Sequence, residues 1–285
     1  MNRILFFILF PTLLFLSFAS NAQITHAGSR SSAMGYCGVA SSDLFSVFNN
    51  QAGLGNLKEM SGGVSFENRF LVNALSSRLA AFVFPTSSGT FGASYRAFGY
   101  SQYSESIFGI SYGKKLGKII SAGIQLDYVS LRLPEIYGSK GFVTFEAGVQ
   151  AIPVEHLTMG FHLFNPLHQD LTGYAGEMYN TTATLGGQYE FSEKVTGMME
   201  VEKETNFRPS FRAGLEYHVV KPVYIRAGLT TQPFQNSFGF GMEFKNFRID
   251  LASLYHPVLG YTPSVSLIWK AAPKNVSGPG MNESK

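Results

Sequence analysis

Gly109-Ile110-Ser111-Tyr112-Gly113 spells G-x-S-x-G, the signature of a serine nucleophile on a strained strand-to-helix elbow. Here the motif lies inside a run of alternating apolar and polar residues ahead of a tight turn. No elbow is expected there, and no catalysis. His156, His162 and His168 are evenly spaced. Along a strand and the loop after it they spread at about 3.3 Å per residue, too far apart to share one ion. The other residues able to do chemistry are carboxylates and guanidinium groups: Glu67, Arg96, Asp127, Glu146, Glu190, Glu200, Arg212, Glu216, Arg226, Glu243, Arg248 and Asp250. All take the same parity of the surrounding alternation. Both signs occur, so the set can pair across an enclosed space and does not make a one-sign ion filter. No Walker or Rossmann fingerprint is present, so no cofactor is expected and the chain does not read as an enzyme.

The elements that must hold these groups are strands. Phe211, Ala213, Leu215, Tyr217 and Val219 interleave with Ser210, Arg212, Gly214, Glu216 and His218. A period of two puts the first set on one sheet face and the second on the other. Fourteen such segments are expected, near 61–71, 77–85, 90–100, 106–115, 119–131, 142–152, 156–164, 181–192, 194–203, 209–219, 223–231, 236–245, 247–256 and 262–270. An apolar outside and a polar inside, in even number, predict an all-β fold: a 14-stranded antiparallel transmembrane β-barrel over 60–270. The connections at 115–118, 152–156, 192–194, 220–222 and 245–247 are tight. Those at 131–141, 165–180, 203–209 and 256–262 are longer. In outer-membrane barrels the short side is periplasmic, which places both termini in the periplasm. Tyr112, Tyr189, Phe191, Tyr217, Phe244, Phe247 and Trp269 at one set of strand ends, and Tyr100, Tyr103, Phe234 and Tyr255 at the other, form two aromatic girdles.

Gly92, Gly109, Gly123, Gly148, Gly160, Gly186, Gly214, Gly228, Gly239 and Gly241 all fall on the inward parity. Glycine in a strand marks close approach of another backbone. The expected occupant is the segment 23–59, folded into the barrel as a plug. Ser42 and Asp43 can cap a short helix with Leu44, Val47 and Phe48 on one face, which breaks at Asn49-Asn50-Gln51-Ala52-Gly53.

The ends and the composition agree. Residues 1–22 read as a secretory signal: Arg3, the apolar stretch Ile4 to Phe18, then Ser20 and Ala22 before the cleavage point. The apolar stretch is shorter than the roughly 20 residues of a spanning helix and contains Pro11. Residues 271–285 read as a flexible tail. Thirty Gly, 26 Phe and 14 Tyr suit aromatic-rich sheet, and a net charge of +3 without a basic cluster leaves no footprint for nucleic acid. Cys37 is alone, so no intrachain disulfide can form. Residues 133–137 and 257–261 are apolar loop segments able to dock a partner.

Ser32-Ala33-Met34-Gly35-Tyr36-Cys37-Gly38-Val39-Ala40, then Asp43, then Asn49-Asn50-Gln51-Ala52-Gly53-Leu54, resembles the opening of the PorV/PorQ branch of FadL-like outer-membrane barrels. Those open with an A-M-G-G-A-G-V-A … D … N-P-A-G-L pattern. Gln51 stands where the family has proline. The Asn21-Ala22-Gln23 processing site is similar to that of Bacteroidetes secreted proteins. The resemblance implies either a partner role in type IX protein secretion, with secretion-system components or cargo as partners, or a channel for hydrophobic small molecules; a structural outer-membrane barrel without transport activity is the third reading of the sequence. Under both, the barrel sits among outer-membrane lipid. Asn50, Gln51, Ala52 and Gly53 carry over as a structural plug turn.

Overall fold

The computed structural model describes residues 27–132, 138–167 and 179–271. Fourteen strands follow one another: β1 (Ser61–Asn68), β2 (Ser76–Pro85), β3 (Thr90–Gly99), β4 (Ser104–Leu116), β5 (Ile120–Arg132), β6 (Ser139–Val154), β7 (Leu157–Phe164), β8 (Thr182–Ser192), β9 (Val195–Glu204), β10 (Ser210–Val220), β11 (Val223–Thr231), β12 (Phe234–Phe244), β13 (Phe247–His256) and β14 (Gly260–Lys270). Each is antiparallel to its neighbours, and β1 pairs with β14 to close the barrel. Closure leaves no sheet edge, the condition lipid imposes on a spanning sheet. Outside β1–β14 only short helical turns occur among the described residues. None is long or apolar enough to cross a membrane.

Side-chain parity decides which way each residue faces. On β5, Ile124, Leu126 and Tyr128 are exposed on the outer wall, while Gln125, Asp127 and Val129 are buried inside. The same division holds on β10, where Phe211, Leu215 and Tyr217 point out and Ser210, Arg212 and Glu216 point in. The outer wall is therefore a continuous apolar belt, far larger than a soluble surface exposes.

One rim, the turn rim, carries the connections 86–89, 117–119, 155–156, 193–194, 221–222 and 245–246. The chain also enters and leaves the barrel there, where Ala271 N–H donates to the Met60 carbonyl at 2.8 Å. The opposite loop rim differs from expectation in three places. β1 stops at Asn68, and two 3₁₀ turns, Arg69–Leu71 and Asn73–Leu75, follow where the strand was expected to continue. The β11–β12 link is only 232–233 and the β13–β14 link only 257–259. There Phe234 and Tyr261 prolong the outward apolar rows of β12 and β14, so pairing runs to the rim. His256 Nδ1 accepts from the Val258 and Leu259 N–H groups, 3.1 Å each, and Gly260 closes the turn at φ 86. The expected signal 1–22, the segment 133–137, His168 and the tail beyond Ala271 lie outside the described residues.

Residues 27–57 lie within the wall. α1 (Ser29–Ala33) packs against β11–β14, and the 3₁₀ turn Gln51–Asn56 against β3–β6. α2 (Ser46–Asn49) packs against β3 and that turn. Leu44, Phe45, Val47, Phe48 and Leu54 form one apolar cluster with Leu79, Ala81 and Val83 of β2 and Ile268 of β14. Each of these side chains larger than alanine contributes about 1.5–3 kcal/mol when fully buried. The expected helix cap is not formed. α2 begins after Phe45 without a side-chain cap, Asp43 Oδ1 instead accepts from the Phe45 N–H at 3.0 Å, and Ser42 Oγ bonds Gln150 on β6.

Candidate functional site: a segment bonded into the lumen

The inward glycines mark where the segment touches the wall. A Cβ built on Gly123 would strike the Gln51 carbonyl and the Ala52 nitrogen. On Gly228 it would strike Met34 and Gly35 backbone, and on Gly214 Met34. Gly148 faces Asn50, Gly160 faces the Val39 carbonyl, and a Cβ on Gly186 would strike Glu200 and the Met199 carbonyl and come within 3.0 Å of Val39 Cγ1. A Cβ on Gly92 would strike Ser111 Oγ and come within 2.9 Å of Val47, and one on Gly239 would strike Ala33. Two of the ten face other things: Gly109 abuts Ser94, Gln125 and Asp127, and Gly241 abuts Asp250 and Arg226. Gly63 and Gly113, absent from the expected set, also touch the segment, against Leu44 and against Gln51 with Leu54. In each case a side chain would occupy space already held by the segment or by a buried polar cluster.

Polar bonds fasten the same contacts. Glu200 on β9 accepts the Gly38 and Val39 N–H groups, both at 2.6 Å. Gln150 on β6 donates to the carbonyls of Val39 (3.0 Å) and Ser41 (2.9 Å). Ser237 on β12 accepts from Gly35 N–H and donates to the Ala33 carbonyl, 2.9 Å each. Ser32 Oγ bonds Glu67 on β1 at 3.1 Å. Segment backbone groups that water would otherwise satisfy are thus paired with wall side chains, as burial requires.

The turn Asn50-Gln51-Ala52-Gly53 is wholly buried. Asn50 caps the 3₁₀ turn by accepting from the Ala52 N–H at 3.1 Å, and its Nδ2 donates to the Val39 carbonyl at 2.7 Å. Gln51 occupies the first helical position, where a proline also fits. Its Nε2 donates to the Val47 carbonyl at 3.0 Å and to Glu146 Oε2 at 2.5 Å. His162 Nε2 meets the same Glu146 oxygen at 2.9 Å.

The charged residues do not pair across the lumen as expected. They pair along the wall and with the segment. Arg226 on β11 binds Glu216 on β10 (2.5 Å) and Asp250 on β13 (2.8 Å). Arg248 binds Asp250 (2.8 Å), and Arg212 forms a short pair with Glu202. Arg30 of the segment closes on Glu216 with Nε (2.9 Å) and Nη2 (3.0 Å), and reaches Asp43 at 3.4 Å. The segment fills the middle of the barrel, so wall charges meet it before they can meet each other. Two expected lumen charges lie at the turn rim: Glu190 is half exposed beside His156 (3.7 Å), and Glu243 pairs with Lys270 and Arg248. Glu105, Glu202, Gln125 and Gln150 also lie buried inside. Inward parity was the one sequence signal that could have found them.

Ser111 of the G-x-S-x-G stretch is an inward residue of β4 paired opposite Gly92 and Gln125, so the elbow is absent. His162 is buried against Glu146, and His156 sits exposed at the turn rim. Burial, reinforced by the Glu200 charge, pushes the Cys37 thiol well above its ordinary value. Thiols react as thiolates. The folded barrel should therefore leave Cys37 unlabelled by a maleimide dye at pH 8 and label stoichiometrically after boiling in SDS. Equal labelling before and after would show that the segment leaves the lumen freely.

No protein-family model matches the sequence, and no curated protein matches it. Solved structures do match in fold. The monoaromatic hydrocarbon channel CymD superposes with a TM-score of 0.68 at 13% identity, over 87% of this chain and 98% of that one. A FadL homologue of Pseudomonas aeruginosa gives 0.64 at 10% identity, over 86% and 98%. The Ralstonia pickettii toluene transporter TbuX gives 0.63 at 13% identity, over 86% and 97%. The chain thus has the closed 14-stranded barrel fold of FadL-like outer-membrane proteins.

Proposed function

We propose that this chain is an outer-membrane barrel sealed by its own N-terminal segment. It works by docking a protein partner at its loop rim, as the resemblance to the PorV/PorQ branch implies, and both termini are periplasmic. The observation that carries this reading is the filled lumen. Beside the segment, the space bounded by Arg96, Glu146, His162, Glu200 and Glu202 measures about 10 Å³, room for about one water. A resident path for an apolar solute needs an apolar pocket of hundreds of Å³. Beyond that space the inward Phe142, Phe164 and Tyr179 pack together toward the loop rim. The loop rim itself offers exposed apolar side chains: Val258, 85% accessible, and Leu259 in the β13–β14 link, and Leu71 and Val72 in the β1–β2 link. The partner class is a secretion-system component or secreted cargo.

Two measurements test this. In planar bilayers the intact protein should conduct almost nothing, and deletion of 27–57 should open a pore. A conducting intact barrel would refute the seal. In a mild-detergent pull-down, partners should co-elute with the intact barrel and be lost from a Val258→Asp/Leu259→Asp variant. A second reading, passage of hydrophobic small molecules, is favoured by likeness to structures described as hydrocarbon channels and toluene transporters. Recovery of a bound apolar molecule from the purified barrel, with no co-eluting protein, would select it.

A further inference from the structure

Charge is divided between the two faces of the wall. Every strand carboxylate among the described residues takes the inward register. Of the outward strand positions only Arg78, Lys114, Arg132 and Lys203 are charged, and all four are cations. A cation on the outer face of a spanning sheet is costly among acyl chains and favourable where it meets anionic headgroups. Lys114 lies at the turn rim and the other three at the loop rim. Lys203 is occupied: its Nζ donates to the carbonyls of Glu204, Thr205 and Phe207. Arg78 and Arg132 make no hydrogen bond or ion pair with any described residue, and both are exposed.

Register places these two arginines on either side of a depression. Arg78 stands opposite Ala97, Ala97 opposite Ser106, and Ser106 opposite Ser130. One step nearer the rim, Gly99 faces Ser104, and Ser104 faces Arg132. From β2 to β5 is three strand spacings, about 14 Å. Between the arginines the outward side chains are small or hydroxylated, where the rest of the belt carries Phe, Leu and Ile. The result is an open hollow of about 480 Å³ lined by Arg78, Ala97, Phe98, Gly99, Ser104 and Ser106 with residues 73–74 and 100–101 of the adjoining links, and Arg132, opposite Ser104, flanks it on β5. That volume falls within the range of small-molecule sites.

We infer that this hollow on β2–β4, with Arg132 beside it on β5, is a binding site for the phosphorylated headgroup of a glycolipid in the leaflet at the loop rim. Arg78 and Arg132 each take a phosphate, and the serine hydroxyls take sugar oxygens. Guanidinium forks match phosphate oxygens in pairs, and hydroxyl-lined small residues leave room for a sugar that Phe or Leu would exclude. The inference shares with the proposed function only the orientation of the barrel in the membrane. It needs neither a partner nor a closed lumen.

The test uses the full-length barrel in detergent, titrated with bis-phosphorylated lipid A, with the same lipid after phosphatase treatment, and with inorganic phosphate, and read by native mass spectrometry. Intact barrel should retain lipid A. Arg78→Gln should weaken retention about tenfold, and adding Arg132→Gln should weaken it further, because each removes a charge-assisted bond. Lys114→Gln, at the other rim, should bind like the parent. Heat-modifiable gel mobility confirms that each variant is folded. Three results would each overturn the inference: equal retention by the parent and the double variant, equal binding of the dephosphorylated lipid, or saturation by inorganic phosphate at the same concentration as lipid A.

Discussion

A Gly228→Val barrel should lose its grip on the N-terminal segment. The new Cβ would fall on the Met34 carbonyl carbon and the Gly35 nitrogen, which are backbone atoms with no rotamer to retreat into. Overpacking of this kind costs about 1–3 kcal/mol where neighbours can shift, and more where they cannot. Here the opposing backbone is fixed, with Ser237 bonding on both sides of Met34. We expect a loss of at least about 3 kcal/mol and expulsion of residues 27–57, with membrane conductance as the outcome. Trypsin reports the expulsion directly, because Arg30 is enclosed in the intact barrel, its side chain only 15% exposed, and cleavable once outside. In a barrel already lacking 27–57 the same substitution should change thermal stability by less than about 1 kcal/mol. Resistance to trypsin in Gly228→Val, with unchanged conductance, would mean that the wall and the segment do not compete for that space.

Arg226→Leu should be nearly as damaging, through charge. Arg226 is 1% exposed and joins Glu216 to Asp250, with its guanidinium 5.2 Å from the Tyr224 ring centre. Removing it leaves two buried carboxylates, each with one remaining arginine: Arg30 for Glu216 and Arg248 for Asp250. Breaking a buried pair from one side typically costs about 3–5 kcal/mol. The heat-modification midpoint should fall accordingly. Adding Glu216→Leu and Asp250→Leu should not restore the loss, because Arg30 and Arg248 would then keep only their longer contacts to Asp43 (3.4 Å) and Glu243 (3.5 Å). Because Arg30 shares Glu216, deleting 27–57 should deepen the Arg226→Leu defect. Additive effects would show that the segment and the wall ion pairs are independent.

The barrel was readable in the sequence because period-two alternation is a local property repeated fourteen times, and turn residues punctuate it. Its errors have local causes. Residues 69–71 continue the alternation of β1, yet Phe70 turns to φ 56 and its N–H bonds Thr262, a contact no one-dimensional pattern contains. The 257–259 turn is set by the His256 ring accepting two N–H groups, while the sequence offered only proline and glycine as loop signals. Parity placed the ten glycines and the charged residues on the inner face. It could not say which glycine admits which segment atom, because that depends on how the segment folds within the wall. Arg30 and Glu200 show the same limit. Nothing near them in the chain announces that one will close on Glu216 and the other on two backbone N–H groups. Ser42 and Asp43 carried a valid capping pattern, but Gln150 and the Phe45 N–H claimed them first.

The seam between β1 and β14 constrains how the enclosed segment can be reached. Residues 27–57 precede β1 in the chain and end up enclosed, and the β1–β14 pairing joins the two extremes of the sheet. Threading a segment with that many wall bonds into a finished cylinder would mean stripping it of water without its partners in place. The economical route is for the curling sheet to wrap around it, as metal is rolled on a mandrel, with glycine-sized notches setting the circumference before the seam zips shut.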